Sequence, residues 1–189
     1  MNNFTIILKV NHLGHFYLTN LLLPVLKYSY PSRVVVLTSR DHLKGKINFE
    51  DLNSAKNYNE EDAYNQSKLA NVLFAQELSD RLKGTGVTAN CVDPGYVYTD
   101  LMRYSSVYKS PYSPISFGFK MFLKTPKMGA QPVVFACVCK EIEDITGKYF
   151  RNFKIDYQAD QASKEVLNKA IAVRLWATSE KWTKLNENK

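Results

Sequence analysis

A chain of 189 residues, 45% hydrophobic and 23% charged, is long enough to bury a core and reads as one soluble globular domain. Eight glycines and seven prolines exclude a fibrous or linker-rich protein, 13% aromatic residues exclude a disordered one, and three irregularly spaced cysteines exclude a disulfide scaffold and point to a reducing compartment. The net charge of +7 is spread over Lys44/Lys46, Lys120/Lys124/Lys127 and Lys181/Lys184/Lys189 without a polybasic block, so the expected partner is not nucleic acid.

Across 4–29, Ile6, Ile7, Val10, Leu13, Tyr17, Leu18, Leu21, Leu22 and Val25 recur at helical spacing. Asn11 and His15 interrupt that apolar pattern one turn apart, and Pro24 bends or ends the helix. No run of roughly 18 apolar residues occurs, so no spanning helix is expected. The start shows no basic stretch leading into an apolar core, so neither is a signal peptide.

The β-branched run 33–39 fits a strand buried on both faces, and a polar loop over 41–59 follows. Residues 60–83 predict the clearest helix. Glu60, Glu61 and Asp62 suit its positive end; Leu69, Val72, Leu73, Leu78 and Leu82 supply its apolar face; Gly84 stands where a left-handed cap belongs. A second buried strand is expected over 87–92, closed by Asp93-Pro94-Gly95. Residues 127–140 predict a helix, 147–150 a short strand, and 163–182 a final amphipathic helix or pair.

Alternation of helix and strand argues for a Rossmann-like α/β fold, a parallel sheet with flanking helices, in one domain over 1–189. Ser39 and Pro94-Gly95 then fall at the carboxyl ends of strands, the edge where open α/β sheets bind ligands. Residues 101–126 are aromatic and lack clean periodicity. They read either as a surface segment packed on the core or as a substrate lid in peripheral contact with a membrane.

Tyr64 and Lys68 lie four apart on the predicted helix and share a face. A neighbouring ammonium favours the phenolate, so the expected Tyr64 pKa falls toward the working range of a general acid/base. Chance pairs of this kind are a core Tyr and a solvated Lys. Ser39 can donate to a substrate oxygen or simply cap a turn. Asn11 is either solvent-facing or, if buried, in need of a partner. Pro94-Gly95 leaves backbone open to a ligand or forms a plain turn. Cys91, Cys137 and Cys139 have no ligand spacing, so no metal is expected, and His12, His15 and His42 read as helix and loop residues.

In this order Asn11, Ser39, Tyr64/Lys68 and Pro94-Gly95 with Thr99 resemble the short-chain dehydrogenase/reductase family. The phrases Val10-Asn11-His12-Leu13-Gly14-His15-Phe16, Ser67-Lys68-Leu69-Ala70-Asn71, Lys124-Thr125-Pro126, Gly129-Ala130-Gln131, Gly147-Lys148-Tyr149-Phe150 and Arg174-Leu175-Trp176 resemble its retinol dehydrogenase-like branch. The resemblance implies hydride transfer between NADP(H), with NAD(H) the alternative, and a small hydrophobic alcohol or carbonyl such as retinol or retinal. It implies Tyr64 as general acid/base and Lys68 as its pKa modulator and ribose ligand. Ser39 would polarise the substrate oxygen, and Asn11 would hold a relay water and the local helix geometry. Pro94, Gly95, Val97 and Thr99 would face the nicotinamide carboxamide and pyrophosphate, under a lid over 101–126.

Two departures stand out. Thr38-Ser39 replaces the more usual Ser-Ser, and Asp93 precedes Pro94 where the branch often has His. The family's Gly-x-x-x-Gly-x-Gly phosphate turn has no counterpart among the eight glycines. The expectation is therefore a chain truncated at its N-terminal side, without the first strands and the Gly-rich loop. The alternative expectation is an inactive isoform or incomplete gene product acting through protein contacts. Localisation is expected to be cytoplasmic, with association to the endoplasmic reticulum or another internal membrane implied by the resemblance.

Overall fold

The structure, a computed structural model, describes residues 6–100, 123–161, 166 and 168–185. The chain opens on a helical rod made of α1 (Ile6–Leu8), a π-helical turn (Lys9–Leu13) and α2 (Gly14–Tyr28). The apolar spacing predicts the rod but not the π turn, whose five residues include Asn11 and His12. Strand β1 (Ser32–Leu37) follows, and Ser39 then caps a 3-10 helix, Arg40–Lys44.

Helix α3 (Glu60–Arg81) begins where Asn59 accepts a hydrogen bond from the Asp62 N–H, 3.0 Å, with three acidic residues in the first turn. Strand β2 (Val87–Asp93) comes next. Helix α4 (Pro126–Val138) is capped by Thr125, which accepts from Met128 N–H at 3.3 Å. A hairpin of β3 (Tyr149–Arg151) and β4 (Lys154–Ile155) turns through Asn152 and Phe153, both at positive φ. Helices α5 (Tyr157–Gln161) and α6 (Lys169–Thr183) close the chain.

The four strands lie in the order β1-β2-β3-β4. β1, β2 and β3 are parallel, with Val34 opposite Ala89 and Cys91 opposite Tyr149, and β4 adds an antiparallel edge. The expected parallel sheet is present, and β4 is an addition that two residues of strand could not announce.

Helix α3 packs on one face of the sheet and α4 on the other. On the α3 side Leu69, Leu73 and Leu78 are fully buried with Val36, Ala89 and Cys91. On the α4 side Ala136 meets Val92, Ile142 and Phe150. Phe16, Phe74 and Trp176 join α2, α3 and α6 through ring centroids 4.9–5.8 Å apart.

Burial of α3 extends well past the predicted apolar face to Asn65, Gln66, Ser67 and Asn71. The polar loop is the reason. Gln66 donates to Leu52 O at 3.0 Å and accepts from Asn48 N–H at 2.8 Å, so the loop is fastened over the helix. Gly45 lets the 3-10 helix lie against α3, since a Cβ there would sit 2.5 Å from Asn65 O. Among the described residues no helix is long and apolar enough to cross a membrane.

Candidate active site

Strand β1 ends against α3, and two cross-bonds hold it there. Thr38 Oγ1 donates to Lys68 O at 3.0 Å, and Asn71 Nδ2 donates to Leu37 O at 3.2 Å. Thr38, where the family more often has Ser, is therefore a fastening between strand and helix. Ser39, the next residue, is a polar neighbour of the Tyr64 phenol that favours its ionised form. Lys68 Nζ stands over the Tyr64 ring, 5.4 Å from its centroid. Asn11 Nδ2 donates to Ser67 Oγ at 3.1 Å, and Ser67 Oγ donates to Tyr64 O at 2.7 Å. The π turn thus delivers Asn11 to the backbone of the residue that carries the phenol. Asn11, Ser39, Tyr64 and Lys68 lie together; spacing anticipated the Tyr64/Lys68 pair, and the family resemblance implied the other two.

The electrostatics differ from the sequence expectation. Burial is the largest influence on Tyr64 and raises its pKa above the ordinary phenol value. Asp41 and Asp93 raise it further, and Ser39 only partly opposes them. Burial lowers the Lys68 pKa, against the pull of Asp93 and Asp41. The expected lowering of the Tyr64 pKa by Lys68 is therefore corrected. The Lys68 ammonium is placed over the ring, and the charges of two carboxylates remote in sequence act on the pair. Tyr64 is a neutral acid in this environment.

Asp41 and Asp93 are site residues that the sequence reading did not single out as such. Ser39 Oγ donates to Asp41 Oδ2 at 3.1 Å and accepts from Asp41 N–H at 3.2 Å. A Ser followed two residues later by Asp is a turn signature that could have pointed there. His42 is fully buried, with Nδ1 2.8 Å from Ser39 O and Nε2 3.3 Å from Ala159 O. It is a 3-10 helix residue that also anchors Ser39, and a lone loop His carries no sequence signal of that.

Asp93 explains its own departure from the family pattern. Its Oδ1 accepts from Gly95 N–H at 2.8 Å, and its Oδ2 accepts from Tyr149 O–H at 3.1 Å. Arg151 Nε lies 3.4 Å from the same oxygen, an ion pair without hydrogen-bond alignment. The carboxylate shapes the turn in which Gly95 adopts φ +80°. Burial and the Asp93 charge hold Tyr149 far above the ordinary phenol range.

Lys124 Nζ donates to Pro94 O at 3.1 Å and to Asn152 Oδ1 at 3.0 Å, pinning the turn to the β3–β4 hairpin. Val97 forms an isolated bridge with Lys124, and its side chain packs on Gly129 of α4. Thr99 is exposed. Pro94 and Gly95 thus lie at the carboxyl end of β2 as expected, while the Val97 side chain serves packing. Most of the expected lid, 101–122, lies outside the described residues, as do 163–165 and 167 of the expected final helix.

As a receptor for a nicotinamide nucleotide the donor set is half complete. Tyr64 O–H and the Lys68 ammonium suit a ribose diol. The glycine spacing that cradles a pyrophosphate is not in the sequence.

Residues 1–108 match the family model described as short chain dehydrogenase. Human "Retinol dehydrogenase 13" is 47% identical over 173 residues, covering 90% of this chain and 51% of that protein. Human "Retinol dehydrogenase 14" is 43% identical, covering 90% and 50%, and bovine "Retinol dehydrogenase 12" is 46% identical, covering 91% and 52%. The crystal structure of an uncharacterized protein from Mycobacterium Paratuberculosis superposes with a TM-score of 0.64 at 31% identity, over 94% of this chain and 58% of that one. The chain spans about half the length of the relatives it matches. On its sequence and its fold, it belongs to the short-chain dehydrogenase family, in the retinol dehydrogenase-like branch.

Proposed function

We propose that this chain is the catalytic and substrate-binding part of an oxidoreductase for small hydrophobic alcohols and carbonyls, retinol and retinal among them. The observation that carries the reading is the half-buried Tyr64 phenol, with Ser39 as its polar neighbour and Lys68 over its ring. In the reducing direction Ser39 O–H leaves Asp41 and donates to the carbonyl oxygen, and Tyr64 delivers the proton that oxygen needs. A neutral Tyr64 suits that step. A bound nicotinamide, NADP(H) with NAD(H) the alternative, supplies the hydride that adds to the carbonyl carbon.

Lys68 would hold the nicotinamide ribose beside Tyr64. Pro94, Gly95, Val97 and Thr99 would present backbone and hydroxyl groups to the carboxamide and pyrophosphate. Asn11, through Ser67, keeps the Tyr64 backbone in place and holds the turn open for a relay water. Residues 101–126 would cover the substrate and lie against a membrane surface, the protein being otherwise cytoplasmic or held at an internal membrane.

The test is NADPH-dependent reduction of all-trans-retinal and simple aldehydes. Tyr64→Phe should lower turnover by about 10²–10⁴-fold, the usual contribution of a positioned acid/base. Turnover indifferent to Tyr64→Phe, or no turnover at all, would sink the reading.

A second reading has its own observation. Helix α2 turns Leu18, Leu21, Leu22 and Val25 to solvent, and β1 carries an open edge among the described residues. Such a surface suits a chain acting through protein contacts. Titration with NADPH separates the two, since tight binding by the 189-residue chain contradicts this second reading.

A further inference from the structure

The turn after β2 spends much of its backbone on its own shape. Gly95 N–H donates to Asp93 Oδ1 at 2.8 Å. Pro94 has no N–H, and its C=O accepts from Lys124 Nζ at 3.1 Å. Tyr96 C=O accepts from Lys124 N–H, and Tyr98 N–H donates to Lys124 C=O, each at 2.9 Å. Lys124 therefore grips the turn at three points, twice by its backbone and once by its side chain.

The backbone grip decides what is left over. Val97 and Lys124 form a parallel bridge. In such a bridge one residue bonds by its N–H and C=O to the two neighbours of the residue opposite, whose own N–H and C=O then point to the other flank. Here Lys124 is the bonding residue and Val97 the one opposite. The Val97 side chain is committed to packing, since it lies where a Cβ on Gly129 would stand. Its N–H and C=O are turned away from Lys124 as an adjacent donor and acceptor.

The side-chain grip fixes the place of the turn. The Lys124 stem lies across Gly95, where a Cβ would stand 3.0 Å from Nζ and 3.3 Å from Cε. The same ammonium donates to Asn152 Oδ1 at 3.0 Å. Asn152 is a firm anchor, because its neighbour Phe153 packs edge-on against Phe135 of α4, 5.6 Å between centroids. Lys124 is itself followed by Thr125, the cap of α4. Hydrogen bonds from a charged donor are the stronger class. One ammonium thus holds the Pro94 carbonyl to the hairpin, beside the start of α4.

We propose that Lys124 is a positioning residue: it holds the turn after β2 in the course that offers the Val97 backbone N–H and C=O to a ligand. That the ligand is a nicotinamide cofactor rests on the oxidoreductase reading above. The grip on the turn does not.

Hydrogen exchange in the 189-residue chain tests the grip without any ligand. Lys124→Met keeps the stem and removes the side-chain donors. In that variant the Tyr98 N–H should exchange about tenfold faster than in the wild type, as local opening gains weight. Cys91 N–H, bonded to Lys148 O at 2.8 Å, should exchange as before. Lys124→Arg keeps charge and donors and should restore slow exchange at Tyr98. Unchanged exchange at Tyr98 in Lys124→Met overturns the proposal, and so does equal acceleration at Cys91.

A pair of cofactors tests the ligand side: NADPH and its 3-acetylpyridine analogue, in which a methyl group replaces the amide NH2. A fixed donor–acceptor pair on Val97 tells the two apart, and a loosened pair does not. Lys124→Met should raise the KM for NADPH about tenfold, the worth of roughly one hydrogen bond, with kcat within about twofold of wild type. The KM for the analogue should rise clearly less, because the analogue has only its carbonyl bond to lose. Lys124→Arg should recover the KM for NADPH. An equal rise for both cofactors, or a loss in kcat alone, overturns the positioning role. A wild-type chain that neither binds nor oxidises NADPH defeats the oxidoreductase reading instead, and the exchange rates at Tyr98 then decide the proposal.

Discussion

Tyr64 and Lys68 show how far a residue's chemistry depends on neighbours that spacing does not reveal. Four-residue spacing on a helix puts the two on one face, and they do stack. The direction of the Tyr64 pKa is set by burial and by Asp41 and Asp93, which lie 23 residues before it and 29 after it. His12 makes the same point for stability. Burial pulls its pKa from 6.5 down to about 4. A depressed histidine pKa means that the unfolded chain binds the proton more tightly. Its stabilising effect is therefore complete above pH 6.5 and is lost as pH falls from 6.5 toward 4. Between pH 7.5 and pH 5 the wild-type chain should lose about 2 kcal/mol through this residue. Urea unfolding at the two pH values measures it. In His12→Asn the component should vanish, and an unchanged pH slope in that variant would count against His12 as its source.

At the scale of elements, the site depends on how closely the 3-10 helix Arg40–Lys44 approaches α3. Gly45 sets that distance by sterics alone, its backbone being in the ordinary extended region. In Gly45→Ala the new Cβ would meet Asn65 O at 2.5 Å and Leu69 Cβ at 2.9 Å, both on a buried helix that cannot yield. The 3-10 helix must then lift, at a cost of about 1–3 kcal/mol, read as a lower urea midpoint. Gly84 offers the contrast, since nothing lies within 4 Å of its Cβ position and only its φ of +77° resists substitution. The aromatic trio joining α2, α3 and α6 is a second such joint. Phe74→Ala should cost about 3–5 kcal/mol in the same measurement, and a cost below 1 kcal/mol would show that the trio contributes little.

At the scale of the molecule, the feature with most consequence is a flank that the described residues leave uncovered. The β1 register turns alternate backbone groups to β2, as in Ser32 N–H to Gly86 O and Thr38 N–H to Val92 O. The intervening groups of Arg33 and Val35 face the open edge, with no ladder partner among the described residues. Beside that edge α2 exposes Leu18 at 56%, Leu21 at 50%, Leu22 at 45% and Val25 at 62%, positions that form one helical stripe. Contiguous apolar surface next to an open strand favours association. The 189-residue chain should therefore self-associate at micromolar concentration in sedimentation velocity, and Leu21→Glu with Leu22→Glu should shift it toward monomer. A wild-type chain that sediments as monomer throughout would refute this.

The sequence alone determined the helix–strand alternation, the strand ends at Ser39 and Pro94-Gly95, and the Tyr64/Lys68 pair, because each is written in local periodicity or short spacing. The π turn at Asn11 was not legible, since one inserted residue barely disturbs an apolar period. Neither was the all-round burial of α3, because Gln66 meets Leu52 and Asn48 only after the loop folds back. Only the tertiary structure decided that the charges of Asp41 and Asp93 act on the phenol, that His12 is buried against Ser179, and that α2 keeps an apolar stripe in solvent. These are facts about which distant residues become neighbours. Charge, burial and hydrogen-bond satisfaction act through space, and spacing along the chain records none of them beyond a few residues.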